Sequence, residues 1–137
     1  GRALFSSIGC AICHLPSYTT TPTVTVQVVY QGQVIESKAL ESRPVKLYSD
    51  LILHDMGGTD ADGLTLGLAT GSMFRTAPLW GLSTRLSDGD GLMHDGRAKD
   101  IPSALSLHGG EASIVISNFN SLNPSDQADV IAFISSL

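Results

Sequence analysis

Residues 10–14 read Cys-Ala-Ile-Cys-His, and this short segment contains both cysteines of the chain. Two thiols at this spacing, followed directly by a histidine, form the pattern of covalent haem attachment. Each thiol bonds one vinyl group of the porphyrin, and the histidine supplies an axial nitrogen to the iron. The segment therefore predicts one covalent haem c, held by Cys10 and Cys13 with His14 as an axial ligand.

Three other interpretations of the two cysteines are a redox-active dithiol, a local disulfide and half of a zinc site. A redox dithiol normally lacks the adjacent histidine and occurs in a βαβ context, which the sequence does not indicate. A zinc site requires further soft ligands, and the chain has no third cysteine. Haem attachment is therefore the preferred interpretation.

The composition describes one ordinary folded domain. Of the 137 residues, 42% are hydrophobic and 15% are charged, which is typical of a globular chain. The net charge of −5 argues against nucleic acid and anionic membranes as partners and suits a positively charged redox protein. No apolar run is long enough for a membrane span. We predict a single mono-haem cytochrome c domain over residues 1–137, excised from a larger exported protein.

Helical patterns flank a β-rich segment of the chain. Apolar residues at helical spacing predict helices over residues 2–8, 48–56, 101–108, about 111–118 and 124–137. Asp100 and Asn123 are the expected N-caps of two of these helices, each with a proline in the first turn. A β-branched stretch interrupted by Gln31-Gly32 predicts a small β-hairpin insertion at about residues 23–36. The overall prediction is a mostly α, cytochrome c-like fold around one covalent haem.

The residue on the other side of the iron decides what such a haem can do. The candidates are His54, Met56, Met73, Met93, His94 and His108. His108 continues an apolar helical stripe that begins seven residues earlier at Ile101, so a helix packed on haem would direct its imidazole inward. The following Gly109-Gly110 permits a close approach of the backbone. His108 is the preferred sixth ligand from this pattern, with the methionines as alternatives.

Several motifs in the second half of the chain resemble those of one bacterial family. They are FRTAPLWGL at 74–82, LMHDGRA at 92–98 and HGGEA at 108–112, together with YSDLILHDMG at 48–57. In this order they resemble the C-terminal haem domain of the di-haem cytochrome c peroxidase superfamily. Within this superfamily, the motifs resemble the branch of the di-haem (thiol) oxidoreductases. The similarity runs from Gly1 to Leu137 and is interrupted by the hairpin.

The resemblance implies roles for four residues of this chain. In these peroxidases the second ligand of the electron-transferring haem lies 14 residues after the histidine of an H-[DS]-G motif, and this count from His94 reaches His108. The typical peroxidase has methionine there, whereas this branch has histidine, so His14 and His108 are the implied axial pair. The resemblance also implies that Arg75 pairs with a haem propionate and that Trp80 packs at the haem edge.

The number of haem motifs separates this chain from a working peroxidase. Di-haem peroxidases need a second haem with an open iron, whereas this chain has one motif. We therefore predict that the chain is an electron-transfer module and not an enzyme. Its partners would be redox proteins that act as electron donor and electron acceptor. Similar domains on secreted polysaccharide-degrading proteins imply a copper polysaccharide monooxygenase as one candidate partner. The alternative is a haem peroxidase or oxidoreductase with an open or displaceable sixth ligand. Because bacteria attach haem covalently outside the cytoplasm, we predict a periplasmic or secreted location.

Overall fold

In the computed structural model, which describes residues 1–22 and 26–137, helices occupy the start and the second half of the chain and short strands lie between them. The α-helices are α1 (Arg2–Ser7), α2 (Leu82–Ser87), α3 (Ile101–Leu107), α4 (Ser113–Asn120) and α5 (Pro124–Ser135). Short 3₁₀ turns occur at Cys10–Ile12 and Gly110–Ala112. Within the described ranges, no helix is long and apolar enough to cross a membrane.

The strands of the described ranges pair as three two-stranded antiparallel sheets. The pairs are β1 (Tyr18–Thr19) with β4 (Pro44–Val45), β2 (Val26–Tyr30) with β3 (Gln33–Ser37), and β5 (Leu53–Asp55) with β6 (Met73–Arg75). The β2–β3 hairpin turns at Gln31 and Gly32, whose φ values of 49° and 78° suit a two-residue type I′ turn. The predicted hairpin is thus confirmed over residues 26–36, while residues 23–25 lie outside the described ranges.

The prediction of a mostly α fold is wrong. Helices account for 34% and strands for 17% of the described residues, so the fold is mixed α/β. The predicted helix over residues 48–56 contains strand β5 instead. At the start of this segment a side chain bonds the main chain of a nearby residue: the N–H of Leu51 donates to Ser49 Oγ at 2.9 Å. Such local bonds compete with the hydrogen bonds of a helix. Tyr48 and Leu51 have φ of 53° and 61°, which a right-handed helix cannot contain.

Helices α3 and α5 begin where the sequence predicts them. The Asp100 carboxylate accepts from the main-chain N–H of Ser103 at 2.7 Å, and the Asn123 side chain accepts from that of Asp126 at 3.0 Å. Both helices have a proline in the first turn. The helix predicted at about 111–118 divides into the second 3₁₀ turn and α4. Because α3 ends at Leu107, His108 follows it directly.

The core lies where α1 packs against α5. Phe5 of α1 and Val130 of α5 are almost fully buried, with 1% and 0% exposure. The Phe5 ring makes edge contacts with Phe133 at 5.3 Å and with Tyr48 at 6.2 Å between centroids. The same ring lies 6.4 Å from that of His14. The aromatic core therefore supports the segment that carries the two cysteines.

Candidate haem site

The Cys-Ala-Ile-Cys-His segment folds as a tight turn on the wall of a cavity. Gly9 has a φ of 107° and leads from α1 into the 3₁₀ turn Cys10–Ile12. A side chain at this position would be strained and would crowd Val115. The main-chain N–H of His14 donates to the carbonyl of Cys10 at 2.9 Å. Both thiols and the imidazole consequently line one cavity.

The two thiols are unlike those of a redox-active pair. They are not joined as a disulfide. Burial raises the pKa of Cys10 to about 11, and burial, with the carboxylates of Asp50 and Glu111 adding to it, raises the pKa of Cys13. A reactive dithiol depends instead on a lowered thiol pKa. The raised pKa values therefore do not suit the redox-dithiol interpretation.

The His14 imidazole has a defined tautomer. Its Nδ1 lies 3.0 Å from the carbonyl oxygen of Tyr48. Because a carbonyl can only accept, Nδ1 carries the proton and Nε2 keeps its lone pair. Burial lowers the pKa of His14 to about 4, so the ring is neutral at physiological pH. A neutral imidazole with a free Nε2 is the form that binds a metal.

His108 has the same arrangement at the end of α3. Its Nδ1 donates to the carbonyl of Ala104 at 2.7 Å, which leaves the Nε2 lone pair free. The His108 and His14 ring centroids lie 6.5 Å apart, with their planes inclined by 45°. The fold thus brings together two residues that are far apart in sequence, each with a nitrogen available for ligation.

The residues present fit a haem. Two imidazoles that bound one metal from opposite sides, with nitrogen–metal bonds of about 2.0–2.1 Å, would have ring centroids roughly 6.3 Å apart, and the observed separation is 6.5 Å. His14 and His108 line a cavity of about 890 Å³, and Cys10 and Cys13 lie on its wall. Pockets of about 300–1,000 Å³ are usual for cofactors and ligands. Spacing, tautomers and thiol positions fit a haem held by these residues.

Arg75 and Trp80 also lie on the wall of this cavity. Arg75 is the last residue of β6 and is exposed. Trp80 is 55% exposed. Both side chains are within reach of a group bound in the cavity, and their roles at the haem periphery stay predictions.

The remaining ligand candidates divide into two groups. Met56, Met93 and His94 line the same cavity, whereas Met73 lines a separate pocket of about 560 Å³. The His94 ring stacks on Phe74 at 4.3 Å with an interplanar angle of 15°. That packing already occupies one face of His94, while the methionines on the cavity wall stay alternatives to His108.

His54, another candidate, is held between two carboxylates. Its Nε2 lies 2.8 Å from Asp50 Oδ2 and its Nδ1 lies 2.8 Å from Glu111 Oε2. The hydrogen bond to Glu111, followed by that to Asp50, raises the pKa of His54. Burial raises the pKa of Asp50, but the hydrogen bonds from the Ile52 N–H and from His54 outweigh it, and the net pKa is lowered. The hydrogen bond from His54 also lowers the pKa of Glu111.

A metal ion other than haem iron is a further possibility beside Cys13. Ligand atoms of Cys13, Asp50 and His54 all lie within 4.8 Å of one another. However, both His54 nitrogens face carboxylates, so both carry protons and neither offers a lone pair. This cluster is better described as an ion-pair network than as a metal site.

Sequence analysis did not identify three acidic residues of this region. Asp50 and Glu111 form the network around His54. Asp60 is 2% exposed, lies 3.5 Å from His94 Nδ1 through one oxygen, and has no hydrogen-bond partner for the other among the described residues. The spacing of Asp50 four residues before His54 offered a weak local indication. Nothing local distinguished Asp60 from an ordinary turn residue.

Comparison with known proteins identifies the family of the chain. No curated protein and no solved structure matches it. The family model described as "Di-haem oxidoreductase, putative peroxidase" matches residues 1–137. This description implies haem binding and a haem-based oxidoreductase or peroxidase-like role. It leans toward an enzyme, so it gives no support to the prediction that the chain is not one. The chain belongs to the di-haem oxidoreductase family.

Proposed function

We propose that this chain binds one haem c covalently through Cys10 and Cys13, uses His14 and His108 as axial ligands, and transfers single electrons between redox proteins. The observation that carries the proposal is the pair of imidazoles. Their centroids lie 6.5 Å apart, and each Nδ1 donates to a main-chain carbonyl. When bound, the haem supplies an iron that takes up and releases one electron.

The chain's own residues orient the two imidazoles. The carbonyls of Tyr48 and Ala104 fix both the tautomer and the direction of the two imidazoles. Both acceptors belong to well-packed parts of the fold, because Tyr48 and Ala104 are themselves buried. The two rings therefore need little rearrangement when the charge between them changes by one. Small rearrangement favours electron transfer over bond chemistry.

Two further residues complete the proposed site. Arg75 is proposed to pair with a haem propionate, because a guanidinium binds carboxylates through two parallel hydrogen bonds. Trp80 is proposed to pack at the haem edge. What supports both is their position on the wall of the cavity that contains His14 and His108.

The setting of this function is also a proposal. We propose a periplasmic or secreted protein, because bacteria attach haem to cysteine pairs outside the cytoplasm. The net charge of −5 favours a redox partner with a positive surface. A secreted copper polysaccharide monooxygenase is one such candidate, suggested by the resemblance to haem domains on polysaccharide-degrading proteins.

Optical and electron paramagnetic resonance spectra of the ferric protein test the ligand pair. We expect the low-spin spectrum of two imidazoles in the wild type and a high-spin spectrum in His108→Ala. The matched control is His94→Ala, which removes another cavity-wall imidazole and is expected to stay low-spin. A far-red iron–methionine charge-transfer band would contradict the pair, and Met56 or Met93 would then be the ligand.

The covalent attachment and the number of haems need a separate test. Extraction with acidified organic solvent should leave haem on the wild type and release it from the double variant Cys10→Ala, Cys13→Ala. Haem content should be one per chain. A content of two, or complete extraction from the wild type, would contradict the proposal.

The second candidate function is an enzyme with an open or displaceable sixth ligand. The family description favours it, because it names an oxidoreductase and a peroxidase. A high-spin ferric wild type, fast binding of peroxide, and turnover with a reductant would support this alternative. A low-spin wild type that does not react with peroxide would exclude it for this chain.

A further inference from the structure

The proposed axial ligands lie on two segments that are distant in sequence, residues 10–14 and residues 108–112. His54 of β5 bridges the two segments through one carboxylate on each side. We infer that His54 is a positioning residue that holds His108 against the iron and keeps the sixth position closed. The inference rests on the proposed ligand pair and goes beyond it by naming the residue that maintains that pair.

On one side, His54 is connected to the turn that carries His14. Its Nε2 donates to Asp50 Oδ2 at 2.8 Å, and the main-chain N–H of Asp50 donates to the carbonyl of Cys13 at 2.8 Å. Cys13 Sγ lies 3.9 Å from the His54 ring. The side chains of His54 and Asp50 are only 17% and 10% exposed. Their charge-assisted bond is therefore less screened than an ion pair on the surface.

On the other side, His54 is connected to the segment that follows His108. Its Nδ1 donates to Glu111 Oε2 at 2.8 Å, and Glu111 Oε1 accepts from the main-chain N–H of Asp55 at 3.0 Å. Both carboxylate oxygens of Glu111 are thus bonded to β5. The backbone between His108 and Glu111 also lies close to the residue that follows β5, because a Cβ on Gly109 would come within 2.9 Å of the Met56 carbonyl.

His54 contributes its charge to this network as well as its position. Since both of its nitrogens donate to carboxylates, the ring is a cation between two anions. Replacing it with an uncharged side chain would leave Asp50 and Glu111 facing each other without a counter-charge, and their repulsion would drive them apart. Glu111 is the more exposed of the two, at 55%, so we expect its side chain to be the one that is displaced. Its displacement would carry the His108 segment away from the iron.

Cyanide binding to the ferric holoprotein measures how readily the sixth position opens. We compare the wild type with His54→Phe, which keeps a ring but removes both N–H donors, by stopped-flow absorbance. We expect cyanide to bind His54→Phe about tenfold faster or more, the change that corresponds to the loss of one charge-assisted hydrogen bond. Glu111→Gln, which keeps one acceptor oxygen, should give a smaller acceleration.

Two control variants separate positioning from general stability. Glu36→Gln makes the same chemical change as Glu111→Gln, but in the β2–β3 hairpin, where Glu36 accepts a hydrogen bond from the Gln27 side chain. Asn123→Ala removes the N-cap of α5 and lowers stability without touching the network. Both should bind cyanide at the wild-type rate. An equal acceleration in Asn123→Ala would overturn the inference, because it would assign the effect to loss of stability.

The outcomes distinguish this inference from the proposed function. A wild type whose ferric spectrum lacks two imidazole ligands overturns the proposed function, and the inference with it. A wild type with that spectrum and a His54→Phe rate within about twofold of it overturns the inference alone. If His54→Phe does not fold with haem, Glu111→Gln decides: acceleration supports the inference and a wild-type rate overturns it.

Discussion

The two walls that meet at the candidate site are built differently. The helical wall consists of α3 and His108, and regular main-chain hydrogen bonds and an Asp100 cap hold it together. The strand wall consists of residues 48–57 together with β6, where individual polar side chains bond the backbone. Ser49 Oγ, for example, donates to the carbonyl of Thr76 at 2.8 Å. A regular element tolerates the loss of one bond, whereas the strand wall depends on single residues. Substitutions in or against the strand wall should therefore have the larger effects.

The largest effect is expected at Gly110, where the segment after His108 packs on the strand wall. Gly110 has a φ of 51°, and an added Cβ would collide with the backbone of Asp55 and Gly57. Gly110→Ala should lower the free energy of unfolding by about 3 kcal/mol or more, as measured by urea denaturation. Gly32→Ala is the control, because Gly32 has a φ of 78° with nothing near its Cβ position. Equal decreases in the free energy of unfolding of the two variants would mean that the contact of Gly110 with the strand wall does not contribute to stability.

The next effect is expected at Ser49 within the strand wall. Ser49 is 0% exposed, and its hydroxyl donates to Thr76 and accepts from the Leu51 N–H at 2.9 Å. Ser49→Ala should destabilise the protein by about 2 kcal/mol, because it leaves two part-buried main-chain groups, the Thr76 carbonyl and the Leu51 N–H, without this side-chain partner. Ser87→Ala removes an exposed hydroxyl bond to Thr84 and should change stability by less than about 0.5 kcal/mol. Both variants are measured by urea denaturation. Equal decreases in their free energies of unfolding would refute the prediction.

A smaller effect is expected for the helical wall. Asp100→Ala removes the N-cap of α3 and should cost about 1 kcal/mol. Amide hydrogen exchange should increase in α3, although His108 lies at the opposite end of that helix and should stay in place. Asn123→Ala should cost a similar amount while the exchange increases in α5. If Asp100→Ala destabilised the protein more than Ser49→Ala, the contrast between the walls would be wrong.

The smallest effect is the pH dependence that His54 contributes. Hydrogen bonds to Glu111 and Asp50 raise its pKa, so its contribution to stability is complete below the unfolded value of about 6.5 and is lost as the pH rises through the folded value. The carboxylates, whose pKa values are lowered, lose their contribution only in acid. The stability difference between wild type and His54→Phe should be largest at about pH 5–6 and shrink above pH 7. Urea denaturation across this range should reveal it, and a constant difference would contradict the assignment.

The helical wall can be predicted from sequence because its causes are local. A cap residue, a proline in the first turn and apolar residues at helical spacing all lie within a few positions of Asp100. The same stripe predicts the direction of His108. The assignment of His108 as an axial ligand stays a prediction, to be tested by spectroscopy.

The strand wall cannot be predicted in the same way because its causes are distant or hidden. Residues 48–56 have helical apolar spacing, but the hydroxyl of Ser49 and the positive φ of Tyr48 and Leu51 exclude a helix. The contact of His54 with Glu111 joins residues 57 positions apart. Periodicity describes neighbours along one element and contains no information about such pairs.

The hydrogen bonds of His14 and His108 have a consequence for how this site could evolve. Both imidazoles donate to main-chain carbonyls, those of Tyr48 and Ala104, and a carbonyl is present whatever residue occupies the position. No point mutation can delete either acceptor, so the basicity of the two rings is insulated from sequence drift. If His14 and His108 are the ligands, as proposed, variation among descendants should adjust the reduction potential through the charges and exposure of the surrounding walls, while the ligand pair itself stays constant.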